Sequence, residues 1–127
     1  MKNLSVTAGA QELTAAGVVP GSADISHEGN DWTIFLEVLE LGDLEHVTSA
    51  RVVVEDSTDQ FETCLPVCML NLRGGVSPGA GLRHTWQMAQ TPTLRTGRPG
   101  AALRVNVLML EGESPRIKVA CEIQATL

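Results

Sequence analysis

Three groups of side chains in this sequence could do chemistry by type: Cys64, Cys68 and Cys121, then His27, His46 and His84, then the carboxylate pairs Glu37/Glu40 and Asp56/Asp59. Spacing decides what they can do. A metal centre needs several Cys, His or carboxylate ligands at set intervals, and each histidine here stands apart from any Cys or His partner. His84 falls in the apolar row of its segment, so it reads as a hydrogen-bonded, partly buried histidine. On one straight strand Cys64 and Cys68 would lie roughly 13 Å apart at about 3.3 Å per residue. That is beyond disulfide reach unless Pro66 bends the segment. An odd cysteine count and no secretory leader point to three free thiols. No base neighbours them in sequence, so a structural role is expected rather than nucleophilic attack.

The other motifs fall short of a catalytic constellation in the same way. Glu55-Asp56-Ser57-Thr58-Asp59 offers oxygen ligands for calcium but lacks the EF-hand pattern and its closing glutamate. It reads as a turn in which Asp56 and Asp59 accept backbone N–H groups. Gly74 to Gly81 has no P-loop Lys-Ser/Thr and reads as a loop. No serine sits in a nucleophile elbow, and nothing in the pattern places Glu37 and Glu40 around a pocket. The expectation is a protein without catalytic residues, metal or cofactor.

The elements that must position these residues are strands. Ile117, Val119, Cys121 and Ile123 alternate with polar residues, as do Leu82, His84, Trp86 and Met88. Successive strand side chains point to opposite faces, so each row packs one face against a core. Leu103, Val105, Val107 and Met109 form a third row. Its partner row starts polar at Arg104 and Asn106 and turns apolar at Leu108 and Leu110, which predicts a contact or the core centre at that end. Trp32–Leu41 and Val47–Glu55 are further strands, and Phe61–Leu72 is another, interrupted at Pro66. A proline lacks the ladder N–H, so that strand is an edge or carries a bulge. Ser5–Ala8 and Leu13–Val19 are weaker candidates.

Turn chemistry recurs between these runs and no helical periodicity appears. At 127 residues the chain fits one domain. The expected fold is all-β: a single antiparallel β-sandwich over residues 1–127, Ig-like or jelly-roll-like, with about seven to nine strands. Residues 1–19, rich in Ala, Gly and Thr, could be an N-terminal arm that orders on a neighbour.

Charge bears on partners. Residues 1–62 hold twelve acidic and two basic residues, and residues 63–127 hold three acidic and seven basic. If strands from the two halves interleave, the split is blurred; if not, the surface is dipolar and suits self-association. A net charge of −6 argues against nucleic acid as the main partner. No run approaches the roughly 18 apolar residues of a membrane helix. The N-terminal residues lack the apolar core of a secretory leader, so the chain is expected to be made in the cytoplasm.

The candidate partner contacts lie in two long connections. Arg73 and Val76 stand at the mouth of the glycine-rich loop, and Arg95 and Arg98 lie in the segment 92–100 that joins two strong strands. Arginines in an exposed loop suit an acidic partner surface. A carbohydrate- or ligand-binding sandwich is the alternative, and it would need Trp32 or Trp86 exposed to stack on a sugar.

Two passages resemble a known family. Ala50-Arg51-Val52-Val53-Val54-Glu55-Asp56-Ser57-Thr58-Asp59-Gln60-Phe61 is similar to a strand and turn of small β-sandwich structural proteins of tailed bacteriophages. Leu103-Arg104-Val105-Asn106-Val107, followed by Glu111-Gly112-Glu113-Ser114-Pro115-Arg116-Ile117-Lys118-Val119, resembles their closing hairpin. The resemblance implies a virion protein, such as a capsid decoration or head–tail accessory component. It further implies capsid or other virion proteins and identical copies as partners and no catalytic residues, while the acidity and the lack of a long apolar run point to no nucleic acid and no membrane as partners.

Overall fold

The computed structural model describes residues 3–28, 32–43, 45–74, 84–87 and 95–125, with only the backbone course for 84–87. These residues form ten strands and no helix. The strands are β1 (Asn3–Ser5), β2 (Gln11–Leu13), β3 (Gly17–Val18), β4 (Ala23–Asp24), β5 (Trp32–Leu41), β6 (Thr48–Ser57), β7 (Leu65–Gly74), β8 (His84–Gln87), β9 (Ala102–Gly112) and β10 (Ile117–Ala125). They make two antiparallel sheets, an all-β sandwich. Sheet A runs β1-β10-β5-β8, with β2 also on β10. Sheet B runs β3-β9-β6-β7, with β4 also on β9.

The alternating rows of the sequence become the two inner faces. Ile34, Leu36 and Val38 of β5 and Ile117, Val119, Cys121 and Ile123 of β10 face Val52 and Val54 of β6 and Leu103, Val105 and Val107 of β9, all buried. The described core is aliphatic apart from Cys68, Cys121 and Trp32 at the start of β5, which is 1% exposed.

Three bulges set the phase of the long strands. In β9 the partners step from Val52–Val107 to Arg51–Met109, leaving Leu108 as the extra residue. In β7 they step from Val54–Cys68 to Glu55–Pro66, which leaves Val67. In β5 they step from Val119–Val38 to Lys118–Glu40, leaving Leu39. An unpaired extra residue turns the following side chains over. Leu110 therefore returns to the interior, where it packs against the core cluster. Pro66 lies beside its bulge in β7, the last strand of sheet B, so both ways of accommodating that proline are used together.

The N-terminal segment is part of the body, where an arm was the expectation. β1 and β2 lie along β10, and β3 and β4 lie along β9. Val6 and Val19 are fully buried in the core between them. The first described residues thus edge both sheets and close one side of the sandwich. With these four short strands the described strands number ten. The four are too short to show a period of two.

The strand pair resembling a closing hairpin is also different from expectation. β9 belongs to sheet B and β10 to sheet A, so residues 113–116 cross between sheets. That crossing meets the β5–β6 crossing at one corner. Gly42 N–H donates to Arg116 O (2.8 Å), and Arg116 N–H donates to the buried Thr48 Oγ1 (3.2 Å). Gly42 sits at φ +63°, and a β-carbon there would lie 2.4 Å from His46 O. Only glycine fits a backbone approach that close.

Candidate docking surfaces

The outward side of sheet B is built from the residues between the core rows. Register places Val18, Asn106, Val53 and Met69 in one line across β3, β9, β6 and β7. The next line is Met109, Arg51 and Asn71, and the one beyond is Glu111, Ser49 and Arg73. Val53 is 1% exposed although it alternates with the inward Val52 and Val54, so its row neighbours bury it from outside. Around it Val18 is 48% exposed, Met69 46% and Leu108 47%. Scattered exposed apolar residues are ordinary, whereas neighbours in register form a patch. The bulge contributes directly, because Leu108 is the residue the ladder leaves unpaired.

The outward side of sheet A is indented. A cavity of about 400 Å³ is floored by Phe35, Glu37, Ala120 and Glu122 and walled by the bend after β1, with Ser5 and Thr7. Its floor is set by register: Phe35 stands beside Glu122 and Glu37 beside Ala120. The wall is fixed to β10. Val6 and Thr7 N–H both donate to Cys121 O, at 2.9 and 3.2 Å. Thr7 Oγ1 accepts from Cys121 N–H (3.0 Å) and donates to Gly9 O (2.7 Å). From below, Ala8 N–H donates to Pro20 O. Gly21 is at φ +114°, and a β-carbon there would lie 2.6 Å from Ala8 N. The notch is therefore held open by backbone rather than by mobile side chains.

The four sequence candidates for partner contact do not come together as one site. Arg95 is committed internally. Its N–H donates to Asp56 Oδ2 (3.3 Å), its guanidinium Nε lies 3.4 Å from Asp56 Oδ1, and another guanidinium N–H donates to Thr58 Oγ1 (3.3 Å). Asp56 is 1% exposed, and that burial raises its pKa against the opposing pull of Arg95. Arg98 is exposed in the adjoining turn. Arg73 is exposed at the end of β7, on the outward side of sheet B. Val76 lies outside the described residues.

Sequence reasoning missed Val18, Arg51 and Met69 as surface residues. The one available signal was the loss of alternation at Leu108, which reports the bulge. Among the described residues, ion pairs join the two charge-biased halves: Arg95 to Asp56, Arg104 to Glu55, and Arg116 to Glu12 and Glu40. These pairs neutralise part of the charge split within the fold.

Asp59 and the cysteines are placed for structure. Among the described residues no three His, Cys, Asp or Glu side chains cluster as a metal site. Asp59 accepts from Thr63 N–H (3.0 Å), Thr63 Oγ1 and Ser57 Oγ, and the Thr63 and Ser57 hydroxyls hold its carboxyl down at about 2. Those bonds order the 57–63 turn, as expected for Asp59; Asp56 instead accepts from Arg95 N–H, outside the turn. All three cysteines are free. Burial pushes Cys68 up to about 11 and Cys121 higher, and burial also raises Cys64. Thiols held protonated at neutral pH are poor nucleophiles. Arg104 stacks 4.3 Å over Phe61 and donates to Glu55 Oε1 (3.1 Å) and Cys64 Sγ (3.6 Å), tying β9 to the turn before β7. Trp32 is buried and cannot stack on a sugar. Trp86 pairs with Leu36 in register, and its side chain lies outside the described residues.

Comparison with family models, with curated proteins and with solved structures finds no match to this chain.

Proposed function

We propose that this chain is a non-catalytic structural protein of a tailed-phage particle, one that braces a shell by binding it and identical neighbours. The observation that carries the assembly part is the apolar surface of sheet B, where Val18, Met69 and Leu108 stand half exposed around Val53. An apolar surface on a rigid sheet suits protein contact, because little side-chain freedom is lost when it is covered. The resemblance to phage β-sandwich proteins supplies the virion context, and Asp56 and Asp59 are engaged in the fold. The test is mass spectrometry of purified particles from the producing host, alongside a Met69→Asp variant. The chain is expected in particles at a fixed copy number, and the variant is expected to be depleted from them. A chain absent from particles overturns the reading.

The notch favours a second reading, a small-ligand or carbohydrate-binding sandwich. It sets the Phe35 ring among Ser5, Glu37, Glu122 and Gln124, the mix of one aromatic and several polar groups that sugar sites use. Glycan-array binding abolished by Phe35→Ala, with the fold intact, would establish it.

A further inference from the structure

The two outward faces are chemically unlike. On sheet B the outward register positions carry Arg51, Arg73 and Arg104 against Glu55 and Glu111. Arg104 and Glu55 neutralise each other. Arg51 is exposed, its Nε donating to Asn71 Oδ1 at 2.9 Å, and Arg73 is exposed two residues along β7. Neither has an ion-pair partner among the described residues. On sheet A the outward side carries Glu12, Glu37, Glu40 and Glu122. Among the described residues the cations there are Lys118, in register with Glu12 and Glu40, and Arg116, which pairs with the same two glutamates. At the notch end Glu122 is exposed beside Phe35.

We infer that the outward face of sheet B in one copy docks on the notch face of sheet A in another, with Arg51 meeting Glu122 and the Val18–Met69–Leu108 surface covering Phe35 and Ala120. This rests on the assembly reading above and names a second copy of this chain as the partner. The charges choose the pairing. Sheet B against sheet B would set Arg51 against arginine, and sheet A against sheet A would oppose Glu122 to its like, each a repulsive contact. B on A instead brings Arg51 to Glu122. The two faces lie on opposite sides of the sandwich, so every docked copy leaves one face of each kind free. Such a heterologous contact propagates into a row or closes as a ring.

Size sets the strength. Four strands about 4.8 Å apart and some eight residues at about 3.3 Å give a face of roughly 500 Å² in projection. That is below the roughly 800 Å² per partner of a standard stable interface. Association is therefore weak in free solution, salt-sensitive, and favoured where copies are already held side by side on a lattice.

Sedimentation velocity and native mass spectrometry of the purified chain at low salt test this. The wild type is expected to grow past dimer with concentration. Arg51→Glu spoils only the B face, and Ala120→Glu only the notch face. Each alone is expected to need about tenfold or more higher concentration to associate, through like-charge repulsion. An equimolar mixture of the two is expected to stop at dimer, since one native B face and one native notch remain per pair. The charge-swapped double variant R51E/E122R is expected to regain growth past dimer. Unchanged urea midpoints keep misfolding out of the comparison. A wild type monomeric at every concentration, single variants that assemble like it, or a mixture that stays monomeric would each overturn the inference. Particle binding retained by a monomeric chain would sink this inference and leave the virion reading standing. Self-association by a chain absent from particles does the reverse.

Discussion

The outward faces of the two sheets come from the same kind of strand and reach opposite characters. Sheet A's face is indented because the bend between β1 and β2 overhangs it, tethered through Cys121 and Thr7, and Glu122 is exposed there. Sheet B's face is level and apolar because its edge segment, β3, is only Gly17–Val18, and because β9 pushes Leu108 outward. Inner faces are dictated by burial and so look alike in both sheets. Outer faces are free to differ, and here a bend and a bulge make the difference.

The comparison can be broken most forcefully at Gly21. Gly21→Ala would drive a β-carbon against Ala8 N at a backbone angle that alanine resists. A loss of roughly 3 kcal/mol is expected from strain plus steric displacement. Urea unfolding would read it, together with loss of amide protection at Val6 and Thr7 if the notch wall lifts as argued. Val19→Ala, which empties part of the core where β3 departs for β4, should cost about 2 kcal/mol by leaving a cavity. Arg104→Ala acts on the other face. It removes the Glu55 pair and the stack on Phe61, and about 1 kcal/mol is expected for a partly exposed pair plus a cation–π contact.

Deleting Leu108 sharpens the contrast between the faces. Without it Val107 points inward, Met109 outward and Leu110 inward in unbroken alternation. The expected change in stability is within about 1 kcal/mol, since the core rows keep their places. Self-association should nevertheless fall, which pairs a neutral unfolding midpoint with an altered sedimentation profile.

The smallest effect is at the acid limb. Asp59 is held down at about 2 against a usual 3.8, so it contributes stability above pH 3.8 that is lost as pH falls through about 2. Asp56 is shifted the other way by burial, so stability falls as pH rises from 3.8 through its raised folded value. Asp59→Asn should remove part of the acid-limb loss, whereas Asp56→Asn should remove the opposing slope just above pH 3.8. Unfolding midpoints between pH 2 and 5 would separate them.

Much of the fold was legible because burial leaves a period. Trp32–Leu41 is read from its sequence with the boundaries the structure has, and Val47–Glu55 is displaced by one or two residues. Strands of two or three residues leave no period, so β1 to β4 read as an arm although Val6 and Val19 are core residues. The surfaces were less legible. Arg95 looks like an exposed contact because its partner, Asp56, is 39 residues away. Whether Val18, Asn106, Val53 and Met69 share a line depends on register across four strands, which the sequence of any one strand does not contain. The mistaken closing hairpin has the same origin: a turn motif marks where a strand ends, not which sheet the next one joins.

The first and last described strands are hydrogen-bonded neighbours, with Asn3 opposite Gln124. Sheet A therefore closes only when β10 meets both β1 and β5. Folding is slow by the standard of local topologies, since these pairings join residues far apart in sequence. A product cut short before β10 would leave β1, β2 and one edge of β5 without ladder partners.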